Sequence, residues 1–487
     1  MELDNPIVTR ACDFARVGEW DAMMTIRARL LVESEGEYLA DYVDGWAALT
    51  KGEVVEASHC FEDLSSNIGA ANPLVKLALG ICRVRQERFS EALWLFEECR
   101  RHVHQHPDYV VHYVETLKAH QRHGEALSLL RKTVEHWPNE TRIWFNLGNA
   151  YRDLKKYEQA IESYERVLTL DPTDVDSRWN RSFLLLLTRK PIPWHLLEDR
   201  HLLRPCTLDH RDFAAFPRWV GQSLEGKRIC VIGEQGFGDI FQFCRYLEPL
   251  IEEASDVGFH ASRRIHQLID ANFKVTLWDS KERLPDSYDY YIPLLSLPMF
   301  VNVAHCGKPY LRCTPSSFKL PTKRAVKIPR IAIHWQGDSS YSQDRYRSVS
   351  LDTLRPILEI SGIEWVSIQK GSANAEIECL PSFVELAEAG TMLDIGEAGF
   401  LDTASLLLDC ELLITTDTAV AHLAGAMGVA VWVMLAAVPD WRWGDTERGY
   451  DWYPCMTLYR QENLGEWEPV MKTMADDLFA LQSAFSV

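Results

Sequence analysis

Basic residues are in short supply in this chain. Its 487 residues hold 51 Lys and Arg against 70 Asp and Glu, a formal net charge of −19 at pH 7. That balance argues against a nucleic-acid-binding surface and against general attraction to anionic membranes, and leaves room only for a local basic pocket. Long apolar runs are also lacking. The densest, Phe183 to Leu187, is far too short to span a bilayer. The first residues are acidic and carry no signal-peptide core. The 12 cysteines include no C-x-x-C pair and no zinc spacing. They sit in apolar contexts such as Arg228-Ile229-Cys230-Val231-Ile232, which predicts reduced thiols in a cytoplasmic protein; with no apolar run of spanning length, no membrane span is expected. No Walker loop, no Gly-Lys-Ser/Thr and no dinucleotide fingerprint is present. What remains is a chain of 47% hydrophobic residues, long enough for two to four domains.

The N-terminal third is periodic. Ala22, Ala57, Ala92, Ala126 and Ala160 recur every 34 or 35 residues, each followed four positions later by Ile26, Phe61, Phe96, Leu130 or Tyr164. Small residues where two helices cross, and large ones between neighbours, are the logic of a helical-hairpin solenoid. The last unit carries Trp144, Leu147, Gly148, Tyr151, Ala160, Tyr164 and Pro172. It resembles the tetratricopeptide repeat position by position. The expected repeat domain covers residues 1–190, closed by a helix over 175–190. Such a surface binds protein segments or serves as a spacer or self-association face, so a protein partner and a homo-oligomer are both left open.

Prolines at 191, 193, 205 and 217 mark residues 191–225 as a connection. Beyond it the pattern turns to α/β. Arg228 to Ile232 reads as a strand, followed by Gly233-Glu234-Gln235-Gly236-Phe237-Gly238-Asp239 and a helix from Ile240. A glycine turn there lets backbone N–H groups approach a ligand at Gly236 and Gly238. Asp239 is either a helix N-cap with Gln242 closing a capping box or a carboxylate beside a cleft. Strands follow at Val275 to Trp278 and Tyr290 to Leu294, then a Pro/Lys-rich linker near 303–329.

A second α/β half, 330–487, opens with Arg330 to His334 and a basic loop, Asp344-Arg345-Tyr346-Arg347-Ser348. The strand Glu364 to Ile368 ends in Gln369-Lys370-Gly371. Leu412 to Ile414 runs into Thr415-Thr416-Asp417-Thr418 and a small-residue helix through His422 and Gly425, and Val429 to Leu435 closes the unit. Three strand ends with polar or basic loops converge on one sheet edge, where Arg345, Arg347 and Lys370 would compensate phosphate and the helix after Thr418 would attract an anion. His422 is a phosphate or ribose ligand, or a packed histidine. Trp441, in Asp440-Trp441-Arg442-Trp443, walls a pocket or anchors a corner.

These blocks in this order resemble bacterial tetratricopeptide-repeat proteins with a C-terminal glycosyltransferase domain, similar to the lipopolysaccharide heptosyltransferases and more distantly to O-GlcNAc transferase. The resemblance implies an α plus α/β chain in which the solenoid precedes a GT-B pair of Rossmann-like halves, 226–315 on the acceptor side and 330–487 on the nucleotide-sugar side. It implies a metal-independent, inverting transferase whose nucleotide-sugar is a co-substrate rather than a cofactor. Asp239 matches the family's proposed base. Asp417, Thr418 and His422 match its donor-phosphate loop, with Ala419 in place of a glycine. Arg345 and Arg347 match its basic loop, and Gly337-Asp338 departs from the Gly-Asn common in relatives. A protein acceptor brought by the repeats, flagellin or another surface protein, is the leading expectation. Transfer to a lipid-linked or polysaccharide acceptor, and a catalytically silent nucleotide-sensing scaffold, are the alternatives.

Overall fold

The computed structural model describes residues 6–485 except 17, 32–35, 69–71, 105, 204–212, 214–215, 286, 304–307, 314–317, 319, 321–327, 339–343, 397–398 and 447–451. The described chain forms two compact units that divide between Ser177 and Arg178. Most of the expected linker near 303–329, with Pro315 and Pro321, lies outside the described residues.

The first unit is a series of helical hairpins: α1 (Pro6–Arg16) with α2 (Trp20–Leu30), α3 (Gly36–Lys51) with α4 (Val54–Ile68), α5 (Pro73–Arg85) with α6 (Phe89–Val103), α7 (Pro107–Ala119) with α8 (His123–His136), and α9 (Thr141–Asp153) with α10 (Tyr157–Leu170). Pro73 and Pro107 open helices, where a missing N–H costs nothing. The recurring alanines fall in the second helix of each pair. Ala57, Ala92, Ala126 and Ala160 are buried, as are Phe61, Phe96, Leu130 and Tyr164 four residues on. Where that residue is aromatic, the first helix meets it with a glycine, Gly45, Gly80 or Gly148. A Cβ on Gly80 would lie 2.6 Å from the Phe96 ring, and one on Gly148 2.6 Å from the Tyr164 ring. In three of the five hairpins the 34-residue period is therefore a packing rule in which a bare backbone accepts an aromatic ring; α7–α8 has Val114 and Leu130 at these positions instead.

The division of the chain falls within helix α11 (Val175–Thr188). The second unit holds two parallel sheets. In the first, β1 (Arg228–Ile232), β2 (Asp256–Ala261), β3 (Thr276–Asp279) and β4 (Tyr290–Pro293) lie in the order β3-β2-β1-β4. In the second, β5 (Arg330–His334), β6 (Glu364–Ser367), β7 (Leu386–Glu388), β8 (Leu412–Thr416), β9 (Val431–Leu435) and β10 (Met456–Arg460) lie in the order β10-β9-β8-β5-β6-β7. Read from its first strand, the second sheet has the doubly wound order 3-2-1-4-5-6, and the first is the 3-2-1-4 portion of it. Such sheets open a crevice at the carboxyl ends of the two strands where the winding reverses. Those strands are β1 and β4 in one sheet, and β5 and β8 in the other.

The segment read as a connection does more than connect. Trp194–Leu202 forms a 3-10 helix whose Arg200 is buried. Its guanidinium donates to both Glu234 oxygens, at 3.1 and 2.5 Å, and to Ser296 Oγ at 3.0 Å. Glu234 also accepts from Leu295 N–H at 3.2 Å. The loops after β1 and β4 are thus pinned by one buried ion pair. Breaking such a pair on one side typically costs about 3–5 kcal/mol, because the remaining charge stays desolvated.

Candidate functional site

The turn after β1 is tight. Gln235 takes a left-handed φ of 63°, and Gly236 starts helix α12 (Phe237–Phe243) by donating its N–H to Asp239 Oδ2 at 2.9 Å. The helix thus starts earlier than the expected Ile240: its N-cap is Gly236 rather than Asp239, Asp239 is the third helical residue reaching back to the cap N–H, and Gln242 closes no capping box. The second oxygen of Asp239 is committed elsewhere. Oδ1 accepts from the Arg442 guanidinium, 203 residues away. Burial pushes Asp239 above the usual carboxylate range, and Arg442 opposes that shift. Arg442 also donates to Asp440 at 2.7 Å and lies 4.6 Å over the Trp441 ring.

Beside α12 runs α13 (Ala419–Met427), the helix after β8. A Cβ on Gly238 would sit 3.1 Å from His422 Cδ2 and 3.3 Å from Ala419 Cα. Glycine here is a close approach of two helix starts, one from each sheet. Thr418, the N-cap of α13, does not cap it with its side chain. Its hydroxyl turns to His334 Nδ1, 3.3 Å away at the end of β5. The leading edge of α13 is left without a side-chain cap, and the helix dipole there favours an anion.

Around this helix start the charges are dense. Asp417 is pushed up to about 6 by burial and by Asp440, against Arg347 and Arg442. Its backbone carbonyl accepts from Arg347 Nη1 at 2.7 Å, while Arg347 Nε donates to Asp344 at 2.9 Å. His422 is held well below its ordinary value by burial and by Arg442, so it is neutral. It shares a hydrogen bond of 3.1 Å with the Tyr453 hydroxyl and stacks on Trp443 at 5.2 Å. His334 is driven down to about 3 by burial, with Arg347 and Lys370 adding to the shift.

Asp239, Gly236, Gly238, Arg347, Asp417, Thr418 and His422 thus gather where the two sheets' first crevice loops meet. Three other expected ligands are engaged in the scaffold. Gln369 is buried; its Oε1 accepts the N–H groups of Trp335 and Gln336, each at 3.0 Å, and its Nε2 donates to the carbonyls of Gln336 and Lys370. Lys370 pairs with Asp394 at 2.9 Å and donates to the Leu393 carbonyl at 3.0 Å. Trp441 is buried edge-on against Trp194, with ring centres 5.9 Å apart, and is a corner anchor rather than a pocket wall. The Arg345 side chain lies outside the described residues.

The residues that sequence reasoning passed over are Arg442, Asp440 and His334. His334 ends a strand, so the rule applied to the other strand ends would have found it. Arg442 had a weaker signal, a lone guanidinium between two tryptophans. Among the described residues, no group of three or more His, Cys, Asp or Glu is placed to hold a metal ion, and no helix is long and apolar enough to cross a membrane.

The tetratricopeptide repeat model matches residues 141–174, so the repeat read from the spacing is present. Protein FlbA of Caulobacter vibrioides is 26% identical over 375 residues, 70% of this chain and 62% of that protein. The chain thus matches less than two thirds of that relative's length. Among solved structures, MamA from Desulfovibrio magneticus RS-1 aligns over 33% of this chain and 90% of its own, at 19% identity and a TM-score of 0.29. MamA AMB-1 aligns over 30% of this chain and 86% of its own, at 22% identity and a TM-score of 0.26. The repeat points to a role in protein interaction.

Proposed function

We propose that the second unit is a GT-B-type glycosyltransferase that uses a nucleotide-sugar, and that the repeats bring it a protein acceptor. One observation carries the reading: the crevice loops of two doubly wound sheets meet, with a carboxylate from one, Asp239, against a guanidinium and an uncapped helix start from the other. In this reading the donor diphosphate lies against the start of α13, near Thr418 and Arg347. The dipole and the guanidinium stabilise the leaving nucleoside diphosphate. The acceptor hydroxyl oxygen attacks the anomeric carbon as the bond to the diphosphate oxygen breaks. Asp239 takes the hydroxyl proton, and the anomeric configuration inverts. In this reading Arg442, now on Asp239, swings to the diphosphate and releases the carboxylate only when donor is bound.

The Arg442 contact also favours a second reading. A carboxylate locked in an ion pair is a poor base, and a catalytically silent scaffold that only senses nucleotide would keep such a lock. Thermal-shift screening against a panel of nucleotide-sugars, followed by intact-mass analysis of co-expressed candidate acceptors, separates the two. Stabilisation by one nucleoside family together with a sugar-sized mass gain on an acceptor supports the transferase. Stabilisation without turnover or hydrolysis of any donor supports the sensor, and no stabilisation by any donor refutes both.

A further inference from the structure

The repeat unit has a face built by the first helices of its hairpins. In each, the residues three before and one after the position of the ring-accepting glycine, which is Val114 in α7, lie about 60° and 100° around the helix from it on the same side. They are Tyr42 and Trp46 in α3, Leu77 and Ile81 in α5, and, by the 34-residue period, Val111 and Glu115 in α7 and Phe145 and Asn149 in α9. The first four are buried, from 1% to 6% exposed. Val111, Phe145 and Asn149 are only half-buried, and Glu115 is exposed. The positions repeat, yet the cover stops midway.

The cover is α1. It packs on α3 and buries Val8, Ala11 and Cys12, an i, i+3, i+4 stripe of small side chains. Its last residue, Arg16, lies 4.8 Å over the Trp46 ring. The Arg16 guanidinium also donates to Asp108 Oδ2 at 2.5 Å, at the start of α7. One side chain therefore reaches from α3 to α7, across α5 and its buried Leu77 and Ile81. Asp108 is buried and holds a second guanidinium, that of Arg142 at 2.7 Å, one period further on. A buried carboxylate beside an indole face is a socket for a planar cation.

We propose that this covered stretch is a helix-binding groove occupied in cis by α1. The partner it takes is an amphipathic helix with small apolar residues at i, i+3 and i+4 and an arginine at i+8 that enters between Trp46 and Asp108. This is the helix-in-groove mode. While α1 is seated, the apparent affinity for a partner is lowered by the fraction of chains whose groove is free. The inference concerns the first unit alone and stands apart from any chemistry in the second.

The test uses the full chain and a fluorescent peptide with the sequence of residues 6–18. The wild-type chain is expected to bind the peptide weakly. Arg16→Glu, or the milder Arg16→Gln should Arg16→Glu fail to fold, is expected to lower hydrogen-exchange protection of residues 8–16. Either is expected to tighten peptide binding about tenfold or more, as the cis competitor leaves. Adding Asp108→Arg and Arg142→Glu to Arg16→Glu restores both arginine pairs of position 108 with charges reversed. That triple variant should regain α1 protection and reject the wild-type peptide. Unchanged protection in both single variants, or peptide affinity no better than wild type, overturns the groove. Equal binding of a peptide carrying the Arg16→Glu change overturns the arginine socket.

Discussion

Asp239 has two masters. One oxygen caps its own helix and the other is paired across the second unit by Arg442. Asp239→Asn keeps the side chain's size and an oxygen to accept from Gly236, but removes the proton acceptor. Transfer should fall by roughly 10²–10⁴-fold while donor affinity is kept or tightened, since Arg442 is no longer held by a carboxylate, measured by single-turnover kinetics and calorimetry. Retained turnover would remove Asp239 from the role of base. Asp417 makes a separate, pH-dependent statement. Its native pKa of about 6 lies above the unfolded value near 3.9. The native state then holds a proton that the unfolded chain releases, so this contribution is whole below about pH 4 and is lost as pH rises through about 6. Asp417→Asn should therefore stabilise the protein by about 3 kcal/mol near pH 7.5 and by almost nothing near pH 4, read from urea midpoints at each pH. A gain of the same size at both would show that the carboxyl is not strained by ionisation. An ionised Asp417 also repels phosphate, so affinity for a nucleotide-sugar should rise as pH falls through about 6, and the Asn variant should flatten that rise.

At the scale of elements, the hairpins were legible because their packing rule leaves letters in the chain: an alanine every 34 or 35 residues, a glycine facing a ring. Gly148→Val should cost roughly 1–3 kcal/mol, since the Tyr164 ring has no room to yield, whereas Gly124→Ala, with open space where its Cβ would go, should be neutral or slightly stabilising. Thermal unfolding of both variants checks the contrast; equal effects would mean that the glycine–ring contact is not what sets the period. The sheet strands were legible where both faces are buried, as in Arg228–Ile232 and Leu412–Thr416. They were not where an edge is half exposed and carries charge, as in Leu386–Glu388, or where a glycine and polar residues interrupt the run, as in Asp256–Ala261. The candidate site followed the same division. Strand-end loops announce themselves in sequence because a strand must stop before its ligand can bind. The partner of Asp239 does not, because Arg442 lies 203 residues away and only the folding of two sheets brings it near. Gln369 misled for a related reason: a polar residue after a strand looks the same whether it faces a ligand or ties two loops together.

For the whole molecule, the decisive feature is that each unit has its own core. The repeats bury an all-helical core from Val8 to Ala150. The second unit buries clusters around its two sheets, one centred on Ile331, Ile333, Trp335 and Ile414, the other on Cys230, Ile232 and Tyr291. A chain built this way need not unfold as one cooperative block. Glu234→Gln leaves Arg200 buried without its counter-charge and should lower the unfolding transition of the second unit by a loss of about 3–5 kcal/mol. It should leave the transition of the repeats where it was, and Gly148→Val should do the reverse. Differential scanning calorimetry of both variants, with hydrogen exchange to assign each transition, reads the outcome directly. If either variant moves both transitions together, the units share one folding equilibrium, and a partner seated on the repeats would then stabilise the second unit by mass action as well. If they move apart, any effect of a repeat partner on the crevice of the second unit must come from delivering a substrate to it rather than from holding it folded.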